Sequence, residues 1–456
     1  MNRHFDSIVI GAGQAGLPMV GRLAAAGQKV ALIERDLIGG TCVNTGCTPT
    51  KTLVASAYAA HLARRGAEFG VKIGPVGIDF AAVMARKNAV VGNSRSHLTD
   101  WLEGMANCTV IRGHARFLSP TTLAIGDDVL EAERFFINVG GRAALPDFPG
   151  RDQVATLTNT TLLKLDALPR RLVVVGGSYV GLEFAQIFRR LGAEVTVVEK
   201  AARLVSREDV EVSDAIREIL EAEGVEIRLQ SECIQFEPRG AEIAVGVNCT
   251  SGEPEVVGSH VLLAVGRRPN TDDLGLEAAG VKVDAHGYIV VDESLKTNVP
   301  HIWALGDCNG RGAFTHTSYN DFEIAAANLL DGATRKVSDR IPVYALYVDP
   351  PLGRVGLTEA EARAKGHNVR IGRRPMTRVG RAVEKGETQG FMKVVVDRDT
   401  DAILGAAILG VGGDEAVHGV IEAMAAGATA FAYTRVVAIH PTVSELVPTT
   451  FGELSP

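Results

Sequence analysis

The sequence has little of what marks several protein classes. Cysteine accounts for only 6 of 456 residues, which excludes the disulfide-stapled scaffold of small secreted domains. No apolar run reaches the ~18 residues needed to span a bilayer. The opening "MNRHFDSIVIGAG" enters a strand-like run at once, without the long apolar segment of a signal peptide. Basic residues do not exceed acidic ones. The formal charge is −7, so nucleic acid is a poor candidate partner. Aromatics make up only 5%, as in α/β proteins packed with Ala, Val, Leu and Ile. The chain therefore reads as soluble and cytoplasmic, a setting in which a disulfide is more often catalytic than structural. Glycine is in excess, with 50 residues where ~7% of a chain is usual. Hydrophobic residues make up 46%, and the length suits about three domains at ~150 residues each.

Some of the glycine falls into a pattern that occurs twice. "DSIVIGAGQAGLPMVGRLAAAGQKVALIER" reads as strand, glycine loop, helix and strand, with Gly11, Gly13 and Gly16 spaced G-x-G-x-x-G. Gly11 permits the tight turn, Gly13 admits a pyrophosphate to the backbone, and Gly16 lets helix pack on strand. The helix N-terminus offers free N–H groups to the phosphates, and Glu34, ending the second strand, can accept from a ribose diol. "RLVVVGGSYVGLEFAQIFRRLGAEVTVVEK" repeats the unit with Gly176, Ser178 and Gly181, and Glu199 ends its second strand. Gly11 to Glu34 and Gly176 to Glu199 are the same distance along the chain, 23 residues. Ser178 replaces the middle glycine, so the backbone approaches this phosphate less closely. Two ordinary βαβ units without ligands are the plainer alternative. Two dinucleotides, FAD and a nicotinamide, are the better reading. Glu199 favours NADH because a carboxylate repels the 2′-phosphate of NADPH, whereas Lys200, Arg203 and Arg207 follow closely and could bind it.

Beside the first unit lies "GGTCVNTGCTPTK", with Cys42 and Cys47 five positions apart. A structural bridge, half a metal site and an electron-carrying thiol pair all fit that spacing. Zinc needs two further ligands at plausible spacing, and Cys108, Cys233, Cys249 and Cys308 are scattered singly. These four read as buried small apolar side chains.

The stretch resembles the redox-active segment of class I pyridine nucleotide–disulfide oxidoreductases, the group of glutathione reductase, dihydrolipoamide dehydrogenase and mercuric reductase. The resemblance extends to both glycine units, to "HIWALGDC" around Asp307, to "DPPLGRVGLTEAEA" and to "HPTVSEL". It implies an α/β fold with two Rossmann-like dinucleotide-binding domains and a C-terminal α+β dimerisation domain. The implied order is FAD-binding over 1–148, NAD(P)-binding over 149–267, a central segment over 268–340 returning to the FAD domain, and dimerisation over 341–456. It implies that Gly11, Gly13, Gly16, Glu34, Gly40, Thr41 and Asp307 hold FAD, with Asp307 on the ribityl chain. Gly176, Ser178, Tyr179, Gly181, Glu199 and Gly266 would face the nicotinamide cofactor, Tyr179 covering its pocket until NAD(P)H enters. Lys51 would pair with Glu183 beside the flavin.

The same resemblance implies that Cys42 and Cys47 form a redox disulfide, Cys47 against the flavin and Cys42 towards substrate. A helix starting near Cys42 would favour thiolate. Five residues of regular helix span about 7.5 Å, and a disulfide requires Cα atoms within ~7 Å, so the first turn must be irregular. His440, oriented by Glu445, would be the acid–base group, acting on the cysteine pair of the partner in a homodimer. His316 lies where the family's chain passes the flavin. The last cysteine is Cys308, so neither the C-terminal cysteine pair of mercuric reductases nor their N-terminal metal-binding extension is expected. Electrons are expected to pass from NAD(P)H through FAD and the cysteine pair to a small disulfide or thiol-reactive oxidant, of the glutathione disulfide or hypothiocyanite type. The alternatives are a mercury(II) or other metal-ion reductase, dihydrolipoamide dehydrogenase, and a flavin-bound scaffold without activity. "FFINVGGRAALPDFPG" departs from the family's Ala-Thr-Gly at that point.

Overall fold

The computed structural model describes residues 2–232, 234–247 and 253–455. Cys233 and Cys249 lie outside the described residues. The chain divides into two compact units, one of residues 1–52, 82–144 and 266–340, the other of residues 53–81, 145–265 and 341–456.

In the first unit, strand Asn2–Ile10 lies between Val30–Glu34 and Asp128–Ile137, parallel to both. Cys108–Arg112 extends the sheet beyond Val30–Glu34, and Ile302–Ala304 runs parallel to Asp128–Ile137. An antiparallel meander of Arg116–Ser119 and Thr122–Ile125 leads into Asp128–Ile137. Parallel strands are covered on both faces and so read as unbroken apolar runs. Ile8, Val9 and Ile10, Ala31 to Ile33, and Phe135 to Ile137 are all buried. Helix Gly16–Ala25 buries Leu17, Val20 and Leu23 on this sheet, each worth about 1.5–3 kcal/mol of apolar transfer. Phe136 stacks on Trp303 at 5.0 Å, joining a strand to one far along the chain.

The second unit holds a parallel sheet in the order Glu226–Arg228, Glu194–Val198, Arg171–Val175, His260–Leu263, Thr156–Leu157. Helix Tyr179–Leu191 crosses between two of these strands and stops at Gly192, whose left-handed φ of 117° a Cβ would oppose. The same unit contains an antiparallel five-stranded sheet, Val343–Leu346, Leu352–Gly356, Ile403–Leu409, Phe391–Asp397 and Val369–Pro375. Helix Leu446–Gly452 seals its core with Val447 and Phe451. The α/β and α+β character expected from the sequence is what the chain adopts. Among the described residues, no helix is long and apolar enough to cross a membrane.

Candidate active site

The first glycine loop is packed so that side chains cannot enter it. Gly11 has φ +103°, and a Cβ there would overlap the Asn138 carbonyl. A Cβ on Gly16 would overlap the Gly11 carbonyl, and one on Gly13 would meet Asn138 Oδ1 at 2.9 Å. Asn138 ties the loop down: its Oδ1 accepts from Gly16 N at 2.9 Å and its Nδ2 donates to Leu305 O at 2.9 Å. Glu34 is held at the strand end by Ala12 N and Asp36 N, each at 2.8 Å. Gly40, with φ +61°, packs against the Gly13 backbone, next to the exposed Thr41.

Asp307 sits in the short helical turn Gly306–Asn309 after strand Ile302–Ala304. Burial pushes its carboxyl upward, opposed by Arg267 and Ser318. Arg267 Nε stands 3.8 Å away and Ser318 Oγ donates at 3.4 Å. Asp321 braces this turn by accepting from Gly306 N and Asn309 Nδ2, both at 2.8 Å. Gly266 has φ +129° with open space around its missing Cβ, so conformation rather than crowding demands glycine there.

The second cradle, in the other unit, repeats the first. Gly176 has φ +118°, and a Cβ on Gly181 would overlap the Gly176 carbonyl. Glu199 accepts from Gly177 N at 2.5 Å and Ala201 N at 2.7 Å, the counterparts of the bonds to Glu34. Ser178 is the exposed N-cap residue of helix Tyr179–Leu191, and Tyr179 opens that helix. Asn138 takes the first N–H of helix Gly16–Ala25, but neither N-cap residue, Ala15 or Ser178, caps its helix with its own side chain and neither first turn carries an acid. Both N-termini thus keep N–H groups and positive dipole for phosphate. The residues of both cradles fit a dinucleotide.

An added Cβ at the tightest glycines costs about 1–3 kcal/mol of local overpacking, which separates the two sites experimentally. Gly16→Ala is expected to purify with a reduced flavin-to-protein ratio, read from absorbance at 450 nm. Gly181→Ala is expected to keep its flavin and its reduction by dithionite while losing reduction by NADH.

The cysteine pair departs from a single helix with an irregular first turn. Cys42 is the third residue of helix Gly40–Thr45, and Cys47 opens a new helix, Cys47–Arg64. Gly46 separates them with φ −133° and ψ −118°. A Cβ on Gly46 would lie 2.8 Å from Thr41 O, so the break requires glycine. Both cysteines are thiols, half-buried at Cys42 and exposed at Cys47. Thr315, the first residue of helix Thr315–Leu330, brings its Oγ1 within 3.3 Å of Cys47 Sγ. The Cys42 thiol is pushed far up by its hydrogen bond to Cys47, by burial and by charge on Cys47, while Thr315 and Lys51 oppose this. That hydrogen bond and burial thus hold the proton on Cys42. His316 stacks on Phe314 with centroids 5.3 Å apart. Cys308 is fully buried and pushed up to about 12 by burial. Cys108, expected to be buried, is only half-buried because it starts an edge strand.

In the second unit, Glu183 is buried and accepts from Tyr347 N at 3.0 Å. His440 Nδ1 lies 2.9 Å from Glu445 Oε2, on the wall of a cavity of about 560 Å³ shared with Val436, Leu446 and Glu453. The imidazole is 80% exposed although its carboxylate partner is 14% exposed. Val437 and Ile439 beside it are 97% and 79% exposed. Asn138 braces the first glycine loop and Asp321 the Asp307 turn, but neither carries a motif. Their only sequence signal is a polar residue closing or interrupting an apolar run, in "FFIN" and "SYNDFEIA".

The family model for pyridine nucleotide-disulphide oxidoreductases matches residues 5–321, and that for their dimerisation domain matches residues 343–451. The chain is 35% identical over 453 residues to the probable pyridine nucleotide-disulfide oxidoreductase RclA of Escherichia coli, covering 98% of each. It is 35% identical to a dihydrolipoyl dehydrogenase of Thermus scotoductus, covering 97% of this chain and 95% of that one. A mercuric reductase of Bacillus cereus is 32% identical, with 97% and 70% covered. Among solved structures, the Cu(II) complex of the HOCl-induced flavoprotein disulfide reductase RclA from Escherichia coli superposes with a TM-score of 0.90 at 34% identity, covering 99% of both chains. The chain thus belongs to the pyridine nucleotide-disulphide oxidoreductase family, whose members are enzymes that use FAD and NAD(P)H, and it carries that family's dimerisation domain.

Proposed function

We propose that the chain is an NADH-dependent disulfide reductase in which Cys42 and Cys47 pass two electrons to a small disulfide or a thiol-reactive oxidant. The observation that carries this reading is the broken helix at Gly46, which sets two thiols in hydrogen-bond contact in the same unit as the first cradle. Bound FAD supplies the electron pair, drawn from NAD(P)H, that returns the Cys42–Cys47 disulfide to the dithiol. Gly11, Gly13, Gly16, Glu34, Gly40, Thr41 and Asp307 hold that group, and Gly176, Ser178, Tyr179, Gly181, Glu199 and Gly266 serve the nicotinamide. Lys51 and Glu183 are assigned to the reacting edge of the flavin.

The residues then act in two displacements. Cys42, relieved of its proton by His440, attacks one sulfur of the substrate, and the other leaves as a thiol with that proton. The Cys47 thiolate attacks Cys42 Sγ, expels the second substrate thiolate and closes the disulfide. Because His440 is exposed beside Val437 and Ile439, we assign the base to the partner subunit's His440 in a homodimer. Domain boundaries at 148, 267 and 340 go with this reading.

A second reading has a specific basis. RclA is recorded as a Cu(II) complex, and mercuric reductases are relatives. In it, a thiophilic metal ion is the acceptor at the same dithiol.

Anaerobic titration of the flavoprotein tests both the route and the donor. A long-wavelength charge-transfer band is expected after two electrons, with the Cys47 thiolate as its donor. NADH is expected to reduce faster than NADPH because the Glu199 carboxylate occupies the ribose end of the cradle. Bleaching without that band would end the disulfide reading. Comparing glutathione disulfide, hypothiocyanite, Hg(II) and Cu(II) as oxidants of the reduced protein separates the two acceptors.

A further inference from the structure

Behind Tyr179 lies a buried polar cluster that no step above uses. Arg354 is 1% exposed and Glu208 2%. Arg354 Nη2 reaches Glu208 Oε2 at 2.8 Å and Asp209 Oδ2 at 3.6 Å. Lys393, equally buried, reaches Asp209 Oδ2 at 3.0 Å and Glu359 Oε2 at 2.9 Å. Charges this deep are retained only when each has a partner, and here the partners come from distant segments. Glu208 and Asp209 precede helix Val210–Ala222, whereas Arg354 and Lys393 stand on strands Leu352–Gly356 and Phe391–Asp397.

Tyr344 connects this cluster to the nicotinamide cradle. It lies directly opposite Arg354 on the neighbouring antiparallel strand, so both side chains project from one face. The Tyr344 hydroxyl donates to Glu208 Oε1. Its ring meets Tyr179 edge to face, with centroids 5.5 Å apart at 78°. Glu208 and Arg354 therefore fix the Tyr344 ring, and that ring is the surface against which Tyr179 rests.

The geometry points to Tyr344 as a positioning residue that holds Tyr179 in its resting place, so that nicotinamide binding must first break the Tyr179–Tyr344 contact. This rests on the reading of Tyr179 as the cover of the nicotinamide pocket. A ligand that binds only the open state has its affinity reduced by the open fraction. Weakening the contact therefore tightens binding, whereas damage to the domain would weaken it. The sign separates the two.

The test is equilibrium titration of oxidised, flavin-loaded protein with NAD⁺, followed by flavin fluorescence, on wild type, Tyr179→Ala, Tyr344→Leu and the double variant. Tyr344→Leu is expected to tighten NAD⁺ binding by roughly 2- to 10-fold, the factor that an edge-to-face pair corresponds to. The double variant is expected to bind no tighter than Tyr179→Ala, as for two changes that remove one contact. The limiting rate of flavin reduction at saturating NADH is expected to stay within about twofold in Tyr344→Leu, which places the effect in binding. Tyr344→Phe, which keeps the ring and frees it from Glu208, serves if the leucine variant does not fold, and is expected to tighten binding by less. Unchanged or weaker binding in the Tyr344 variants, with Tyr179→Ala tightening, overturns the inference alone. Absence of tightening in Tyr179→Ala removes the cover itself and the inference with it.

Discussion

Replacing Cys42 with serine is expected to lower turnover with disulfide acceptors by on the order of 10⁴-fold, the scale on which removal of a nucleophile acts, while NADH continues to reduce the flavin. The effect is large because Cys42 is the sulfur assigned to attack, and its proton must be removed first. Its thiol donates to Cys47 and is held well above the ordinary thiol range by that bond and by burial. Serine at this position can still donate to the Cys47 thiolate, so the charge-transfer band is expected to persist in Cys42→Ser without added reductant. Cys47→Ser is expected to lose both turnover and the band, because the sulfur assigned to the flavin side is gone. Rapid-scan absorbance separates the two variants in one experiment. A Cys42→Ser protein that still turns over glutathione disulfide at the wild-type rate would sink the dithiol route.

His440→Gln is expected to slow the disulfide half-reaction by about 10²–10⁴-fold, the range of a positioned general base, with flavin reduction by NADH unaffected. The direction of the pH response follows from Cys42. A thiol raised above its ordinary range is protonated at neutral pH and becomes thiolate as pH rises. Without the imidazole, the remaining activity is therefore expected to climb steadily into the alkaline range, where hydroxide removes the proton. The wild-type profile should be much flatter. Glu445→Gln is expected to cost less, since it loses only the carboxylate within 2.9 Å that orients the ring. Stopped-flow reoxidation of the two-electron-reduced protein between pH 6 and about 10 checks the series. A His440→Gln variant whose loss is constant with pH would show that proton removal from Cys42 is not its task.

The two glycine units were legible because everything they need lies within one short segment. Strand, turn, helix and closing carboxylate follow in order, and the backbone bonds to Glu34 and Glu199 span 22 residues each. Chemistry so local imposes residue types directly: no other residue can stand at Gly16 or Gly181 without striking a carbonyl. The cysteine pair was legible as a pair for the same reason. Its geometry was not. The sequence suggested one helix with a distorted first turn, and the chain instead makes two helices around Gly46, because the Thr41 carbonyl occupies the space a Cβ would take. Asn138 and Asp321 were not legible at all. Asn138 bonds to a residue 122 positions away, and nothing near it in sequence distinguishes it from the polar end of any strand.

By itself the sequence determined the two glycine units, through steric and charge requirements within about thirty residues, and through its family resemblance the class of protein. Tertiary structure alone decided which polar side chain braces the first glycine loop, and that Tyr344, Glu208 and Arg354 stand together behind Tyr179. These depend on segments brought together across more than a hundred residues: Tyr344 and Glu208 are 136 apart. Burial then sets the energies. A hydrogen bond or ion pair removed from water acts far more strongly than the same residues would at a surface, and burial is a property of the folded chain that no short stretch of it carries.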